Sequence, residues 1–265
     1  MLADDCVLCA MMIQRLNQDS SWFLHWDGLR LMVDPWLVGS EVDGAPWLDE
    51  QWHVVDPVPP ERVPEADAIL IAQPYNDHCH LPTLRALPDS LPILATAKAY
   101  VRLRRSFPDR KLLLIPDQGA GLDFQGFTFR AFRPAKRLDP VYFGVMMRPA
   151  DSACLFYAPH GFDLRPGEIR MLRESGVHVL VSTFTDFRLP GILGGHVNSG
   201  LEQVRALVNA LRPNHLLNTH GEPKRMQGLV ARLAKVRYAD FSTLQLDSTL
   251  PYRSMPGYDP MILPL

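Results

Sequence analysis

Three short apolar runs separated by two helical patterns constrain this chain more than any other feature. Residues 68–72 read as a buried strand, "LPTLRAL" as a short helix with Pro82 in its first turn, and "LPILAT" as a second strand. "AKAYVRLRRSF" then reads as an amphipathic helix and "KLLLIP" as a third strand. Such a βαβ rhythm calls for a sheet with helices laid against it.

The flanking segments have a different character. Upstream, "SSWFLHWDGLRLMVDPW" places Asp27-Gly28 between two β-rich runs, a strong hairpin signal. An irregular segment follows to about Pro64, with Trp36, Trp47, Trp52 and several prolines. Downstream, "GLDFQGFTFRAF", "VYFGVMM" and "ACLFYAP" read as an antiparallel meander. The last third returns to α/β: a helix over 166–175, the strand "VHVLVST", and the Gly-rich loop "LPGILGGHVN". Next come a helix opened by a Ser199 to Glu202 capping box, the strand "HLLNTH" and a last helix over 223–236. No short-period repeat, low-complexity tract or linker interrupts the 265 residues, so the chain reads as one domain of two packed sheets with outer helices, preceded by a loose extension over residues 1–12.

Composition narrows the class of function. With 47% hydrophobic and 21% charged residues the chain is an ordinary globular one, and a net charge of -2 gives no electrostatic reason to expect nucleic acid or an anionic membrane as partner. No apolar run approaches the roughly 18 residues that span a bilayer, and the N-terminus lacks the basic start of a signal peptide, so a cytoplasmic location is the default. Four cysteines do not make a disulfide framework. Cys6 and Cys9 form an isolated C-x-x-C; Cys79 and Cys154 read as small buried residues.

Five of nine histidines follow a strand or sit in the loop after one: His78 and His80 in "QPYNDHCH", His160 in "FYAPHG", His196 in "GGHVNSG" and His220 in "LNTHGE". Sites in open α/β sheets collect where loops leave the carboxyl ends of strands. Asp77 with His78, His160 and His220 is therefore the constellation that points to a metal or catalytic site. His25, His53, His178 and His215 read as structural.

The order of "DSSWFLHWDGLRLMVDPW", "ILIAQPYNDHCHLPTL", "LFYAPHG" and "LLNTHGE" resembles the metallo-β-lactamase superfamily, near the branch of ascorbate-6-phosphate lactonase-like and metal-dependent hydrolases. The resemblance runs from about Gln14 to Arg237 and implies an α/β fold of four layers, an αββα sandwich. It also implies an H-x-H-x-D-H motif after a strand, a further His, a bridging Asp and a final His. Laid on this chain, Gln73 and Tyr75 stand where the first two His belong, while Asp77 and His78 match. No His falls between His80 and His160, His160 takes the place of the bridging Asp, and His220 matches the last His. Every exclusive ligand of the family's first metal is thus missing, and each position of the second keeps a nitrogen or oxygen donor. A neutral imidazole has a single lone pair, so His160 could not bridge two ions.

The resemblance therefore implies one divalent metal held by Asp77, His78, His160 and His220, Zn²⁺ foremost with Fe or Mn as alternatives, or none if the site is fully degenerate. His80, His196 and Tyr75 are the acid/base candidates. Gln73, Trp36, Lys136 and Arg137 are the candidates for touching a small-molecule substrate. Lys136 and Arg137, with Lys224 and Arg225, read either as an anion-binding rim or as solvated loop residues. Three functions stay open: a metal-dependent hydrolase of a small ester, lactone or phosphoester, a metal-free binder or scaffold on the same fold, and metal-independent acid/base chemistry by an Asp77-His pair with Tyr75 as a donor.

Overall fold

The computed structural model of the protein describes residues 10–136, 143–150, 152–193 and 195–265. Cys6, Cys9 and Arg137 lie outside the described residues. The chain opens with β1 (Ala10–Arg15), β2 (Trp22–Trp26) and β3 (Leu29–Val33), paired antiparallel in sequence order. Asp27 and Gly28 turn the β2–β3 hairpin with φ of 45° and 80°, the left-handed pair that matches strand twist. Ala10 to Met12 are not a loose extension, because all three pair with residues 262–264 and Met11 and Met12 also pair with β2.

The segment expected to be irregular carries two short strands, β4 (Glu41–Val42) and β5 (Glu50–Trp52). The alternation then appears as read: β6 (Ala68–Ile71), α1 (Leu81–Ala86), β7 (Ile93–Thr96), α2 (Ala97–Ser106) and β8 (Leu112–Ile115). The meander comprises β9 (Leu122–Phe124), β10 (Phe127–Phe132), β11 (Gly144–Pro149) and β12 (Cys154–Ala158). Then come α3 (Pro166–Glu174), β13 (Val177–Thr183), β14 (Asp186–Arg188), β15 (His196–Ser199), α4 (Gly200–Leu211) and β16 (His215–Thr219). The chain closes with β17 (Arg225–Gln227), α5 (Leu229–Leu233), β18 (Lys235–Arg237), α6 (Phe241–Gln245) and β19 (Met261–Pro264).

Two large sheets form, in the orders β19-β1-β2-β3-β6-β7-β8 and β16-β13-β12-β11-β10-β9. Strand alternation aims one face of each at the other. Trp22, Leu24, Leu31 and Leu70 of the first sheet share a buried cluster with Phe129, Val145, Leu155 and Val181 of the second. Behind the first sheet, Ile69, Ile71 and Ile93 pack on Leu84 of α1 and Leu103 of α2. Behind the second, Phe156, Leu180 and Leu216 pack on Leu172 of α3 and Val204 of α4. The layers are therefore α, β, β, α, as the resemblance implied. Cys79 and Cys154 are free and buried in the outer layers.

Two local expectations fail for one reason. Ser199 does not cap α4: it pairs with Asp186 in the β14–β15 ladder and makes no side-chain cap bond. The single helix over 223–236 is broken into β17, α5 and β18, since Arg225–Gln227 pair with β5 and Lys235–Arg237 with β14. In both places tertiary strand pairing overrides local helix propensity. Gly228 makes the break possible. Its φ is +96°, and a Cβ there would stand 2.6 Å from the carbonyl oxygen of Leu48. Next to it, the Leu229 and Val230 amides donate to the carbonyls of Trp47 and Leu48 at 3.0 and 2.9 Å. Gly228→Ala is expected to cost about 1–3 kcal/mol by combining the strain of a positive-φ extended backbone that suits glycine alone with this clash, read as a lower midpoint in urea denaturation; an unchanged midpoint would refute the close approach.

Candidate metal centre

The carboxyl ends of parallel strands converge at one rim of the sandwich. Asp77 and His78 lie in the loop after β6, His160 two residues past β12, and His220 directly after β16 in a left-handed conformation (φ 48°). One ligand atom from each of the four lies within 4.8 Å of all the others. His78, His160 and His220 are buried, and Asp77 is partly so.

Each imidazole is held from behind. His78 Nδ1 donates to Asp34 Oδ2 at 2.6 Å, His160 Nδ1 to Asn198 Oδ1 at 2.6 Å, and His220 Nδ1 to Asp19 Oδ1 at 2.8 Å. These oxygens only accept, so every Nδ1 carries a proton and Nε2 is the ring nitrogen left to a metal. His78 Nε2 and His160 Nε2 face each other at 2.9 Å, and the buried His220 Nε2 has no hydrogen-bond partner among the described residues. At that distance the two nitrogens share a proton in the metal-free site, and a metal ion would take the proton's place. The donor set of three imidazole nitrogens and a carboxylate suits a divalent transition metal. The cluster could thus hold a metal ion.

The field agrees with this geometry. Burial works against a charged His78, but Asp77 and Asp34 outweigh it and raise its pKa to about 9. Burial, together with His220 and His78, drives His160 well below the usual histidine range. For Asp77, burial favours the neutral acid, and His78, Lys224 and His220 more than offset it. Asp19 is also held ionised against burial, by His220 and by Lys224, whose Nζ is 2.9 Å from Asp19 Oδ2. Burial alone would lower the Lys224 pKa; Asp19, Asp77 and Glu41 raise it instead.

A cavity of about 290 Å³ opens over the cluster and is lined by Tyr75, Asp77, His160, Asn198, His220 and Lys224, among others. Tyr75 meets the His160 ring edge-on, centroids 6.5 Å apart. Other expected site residues are placed elsewhere. His80 caps α1: its Nδ1 accepts from Thr83, its Nε2 donates to the Ser40 carbonyl, and burial lowers its pKa to about 4. With both ring nitrogens committed and no face on the cavity, it has no acid/base part there. His196 is exposed beside Asp186 at 3.5 Å; a bulge in the β14–β15 ladder, where Phe187 faces Asn198 and Arg188 faces His196, separates it from the buried Asn198.

Gln73 is fully buried and ties its amide to the Phe143 carbonyl at 2.6 Å. Trp36 is likewise buried; it lies beneath Lys224, whose Nζ is 5.1 Å from its ring centroid, and stacks with His53. Neither lines the cavity. Lys136 pairs with Asp163 at 2.8 Å, away from it. Of the basic rim's described residues, Lys136, Lys224 and Arg225, only Lys224 lines the cavity. Asp19, Asp34 and Asn198 were missed. Asp34 carried a legible signal, an acidic residue directly after a strand; Asp19 is brought in by the β1–β2 loop and Asn198 by the short strand β15, whose pairing the sequence does not reveal.

Two outcomes follow from this arrangement. Asp34 Oδ1 also accepts from the Ala72 amide at 2.7 Å, and Oδ2 from Tyr157 Oη at 2.9 Å; Tyr157 keeps the Ser20 carbonyl at 3.1 Å as a second acceptor, so Asp34→Ala strands two buried donors, the Ala72 amide and His78 Nδ1. It is expected to destabilise the fold by about 3 kcal/mol in chemical denaturation; a loss indistinguishable from zero contradicts the network. Secondly, the metal-free site keeps a proton between His78 and His160 below about pH 9. Calorimetry of Zn²⁺ binding in two buffers of unlike ionisation enthalpy is expected to give release of about one proton at neutral pH. Because the folded pKa of His78 lies above its unfolded value near 6.5, its contribution to metal-free stability is complete below that value and is lost as pH rises through about 9.

A family model described as Beta-lactamase superfamily domain matches residues 15–220. No curated protein matches the chain. Among solved structures, a metallo hydrolase from the hyperthermophilic archaeon Ignicoccus hospitalis is 16% identical with a TM-score of 0.65, over 96% of this chain and 98% of that one. An isothiocyanate hydrolase from Delia radicum gut bacteria is 14% identical with a TM-score of 0.68, over 94% and 98%. CmlA, a diiron β-hydroxylase from Streptomyces venezuelae, is 16% identical with a TM-score of 0.65, over 96% of this chain and 54% of that one. At such identities the likeness is one of fold. With most of its length matched by the family model and its four layers in the same arrangement, the chain belongs to the β-lactamase superfamily.

Proposed function

We propose that the protein is a hydrolase that uses one divalent metal ion, held by Asp77, His78, His160 and His220, to cleave a small ester, lactone or phosphoester. The observation that carries this reading is the set of three imidazoles whose Nδ1 atoms are all tied to acceptors while one ligand atom from each lies within 4.8 Å of the others and of Asp77. A single ion is favoured because Gln73, where the family's first site begins, is engaged with the Phe143 carbonyl, and because His160 has only one lone pair to give. Zn²⁺ matches the donor set best; the diiron centre named for CmlA makes iron the alternative.

A bound divalent ion would act as a Lewis acid toward a carbonyl or phosphoryl oxygen and make water a nucleophile at neutral pH. The chain's own residues supply the rest. Lys224, kept protonated at the cavity floor, has donors beyond the one used by Asp19 and can meet negative charge that develops on a substrate oxygen. Tyr75 offers a phenol to the same space. Leu48, Phe187 and Val236 exclude water from part of the cavity. A second reading, a metal-free binder, draws on His78: its raised pKa lets a proton occupy the gap between the imidazoles.

Elemental analysis separates the two. Freshly purified protein is expected to carry about one metal per chain, lost in His160→Ala, with kcat/KM on a lactone or phosphoester panel falling at least about a thousandfold in Asp77→Ala. Protein without metal, and unable to take up Zn²⁺, Fe²⁺ or Mn²⁺, would leave the binder reading standing alone.

A further inference from the structure

The cavity has two chemically different walls, and from them we infer the class of molecule it takes: a small organic cation, a protonated amine or guanidinium carried on an apolar body. This rests on reading the cavity as the substrate site. The small sheet β17-β5-β4 and its connecting loop bring Glu41, Asp43 and Asp49 to the cavity, and Glu222 joins them from the loop after β16. The other small sheet, β15-β14-β18, brings Phe187, Val197 and Val236. A ligand that satisfies both walls is charged at one end and apolar at the other.

Two of the acids have acceptors to spare. Glu41 is only 2% exposed, and among the described residues its Oε2 has no hydrogen-bond partner. Glu222, 8% exposed, gives Oε1 to His53 at 2.7 Å and leaves Oε2 without a partner among the same residues. A buried carboxylate oxygen without a donor is costly, and an ammonium or guanidinium supplies donors and charge together. Asp43 and Asp49 are set in place by Asn76 and Gln51, at 2.7 and 3.0 Å.

Charge points the same way. Among the described residues, six carboxylates line the cavity against a single lysine, Lys224, which is already paired with Asp19. A divalent ion in the metal centre would offset only two of them. Burial, then the charge of Asp77, pushes the Glu41 carboxyl well above its ordinary range despite Lys224, and burial brings Asp49 to about 6. An arriving cation favours the ionised acids, whereas a phosphate or carboxylate ligand meets the same field with the opposite sign. Of the two residues on which the sequence suggests an anion-binding rim, Lys136 pairs with Asp163 and does not line the cavity, and Arg137 lies outside the described residues.

Titration calorimetry at neutral pH and low salt tests this with three probes of one shape: phenethylammonium, phenethyl alcohol and hydrocinnamate, each on the protein as purified and after chelation. Phenethylammonium is expected to bind at least about tenfold more tightly than the alcohol, with hydrocinnamate weakest. Glu41→Gln, and independently Asp49→Asn, are each expected to shrink that preference at least about threefold. Equal binding, tighter hydrocinnamate, no binding of any probe, or a preference intact in both variants overturns the inference. Ammonium preference in a protein that takes up no metal supports it while removing the hydrolase reading; one metal per chain without the preference does the reverse.

Discussion

One buried carboxylate holds the site to the fold. Asp34 follows β3 in a left-handed conformation, is fully buried, and accepts from the Ala72 amide after β6, from His78 of the cluster and from Tyr157 of β12. Those three donors join both sheets and one imidazole at a single point. A buried charge is tolerated only where donors of this kind surround it, so the position of His78 is as rigid as the packing of the two sheets. The network also pushes the Tyr157 phenol well above its ordinary pKa, through burial and then through Asp34, keeping it a donor.

The same principle is repeated with different parts. Asp19, from the loop between β1 and β2, orients His220 through its side chain and accepts the Thr219 hydroxyl and His220 amide on its carbonyl. Asn198 of β15 orients His160. Each imidazole thus has its tautomer set by an acceptor from a different segment, which converts sequence-distant loops into one donor set. Behind Asp19 the support continues through Lys224, which lies over the Trp36 ring, and Trp36 stacks with His53, itself paired with Glu222. Trp36 serves the site as a foundation for a buried lysine, not as a wall for a ligand.

The large sheets were legible because their strands announce themselves. The Asp27-Gly28 turn sets the first hairpin, and the βαβ run places β6 to β8 nearly to the residue. The four clustered residues were also legible, since each follows a strand and one rim gathers those ends. What failed was whatever depends on a partner far along the chain. The segments 41–52, 186–199 and 225–237 make two small sheets only by pairing with one another. Read alone, the last of them looks helical.

The sequence by itself determined the layered α/β architecture and the convergence of Asp77, His78, His160 and His220, because hydrophobic periodicity and strand-end placement are local properties. Only the tertiary structure decided which of the remaining polar residues serve the site. Asn198 turns inward where His196 does not, Lys224 reaches the cavity where Arg225 and Lys136 do not, and His80 is spent on a helix cap. These choices follow from the direction each side chain takes once strands are paired, and from the need of every buried donor and acceptor for a partner.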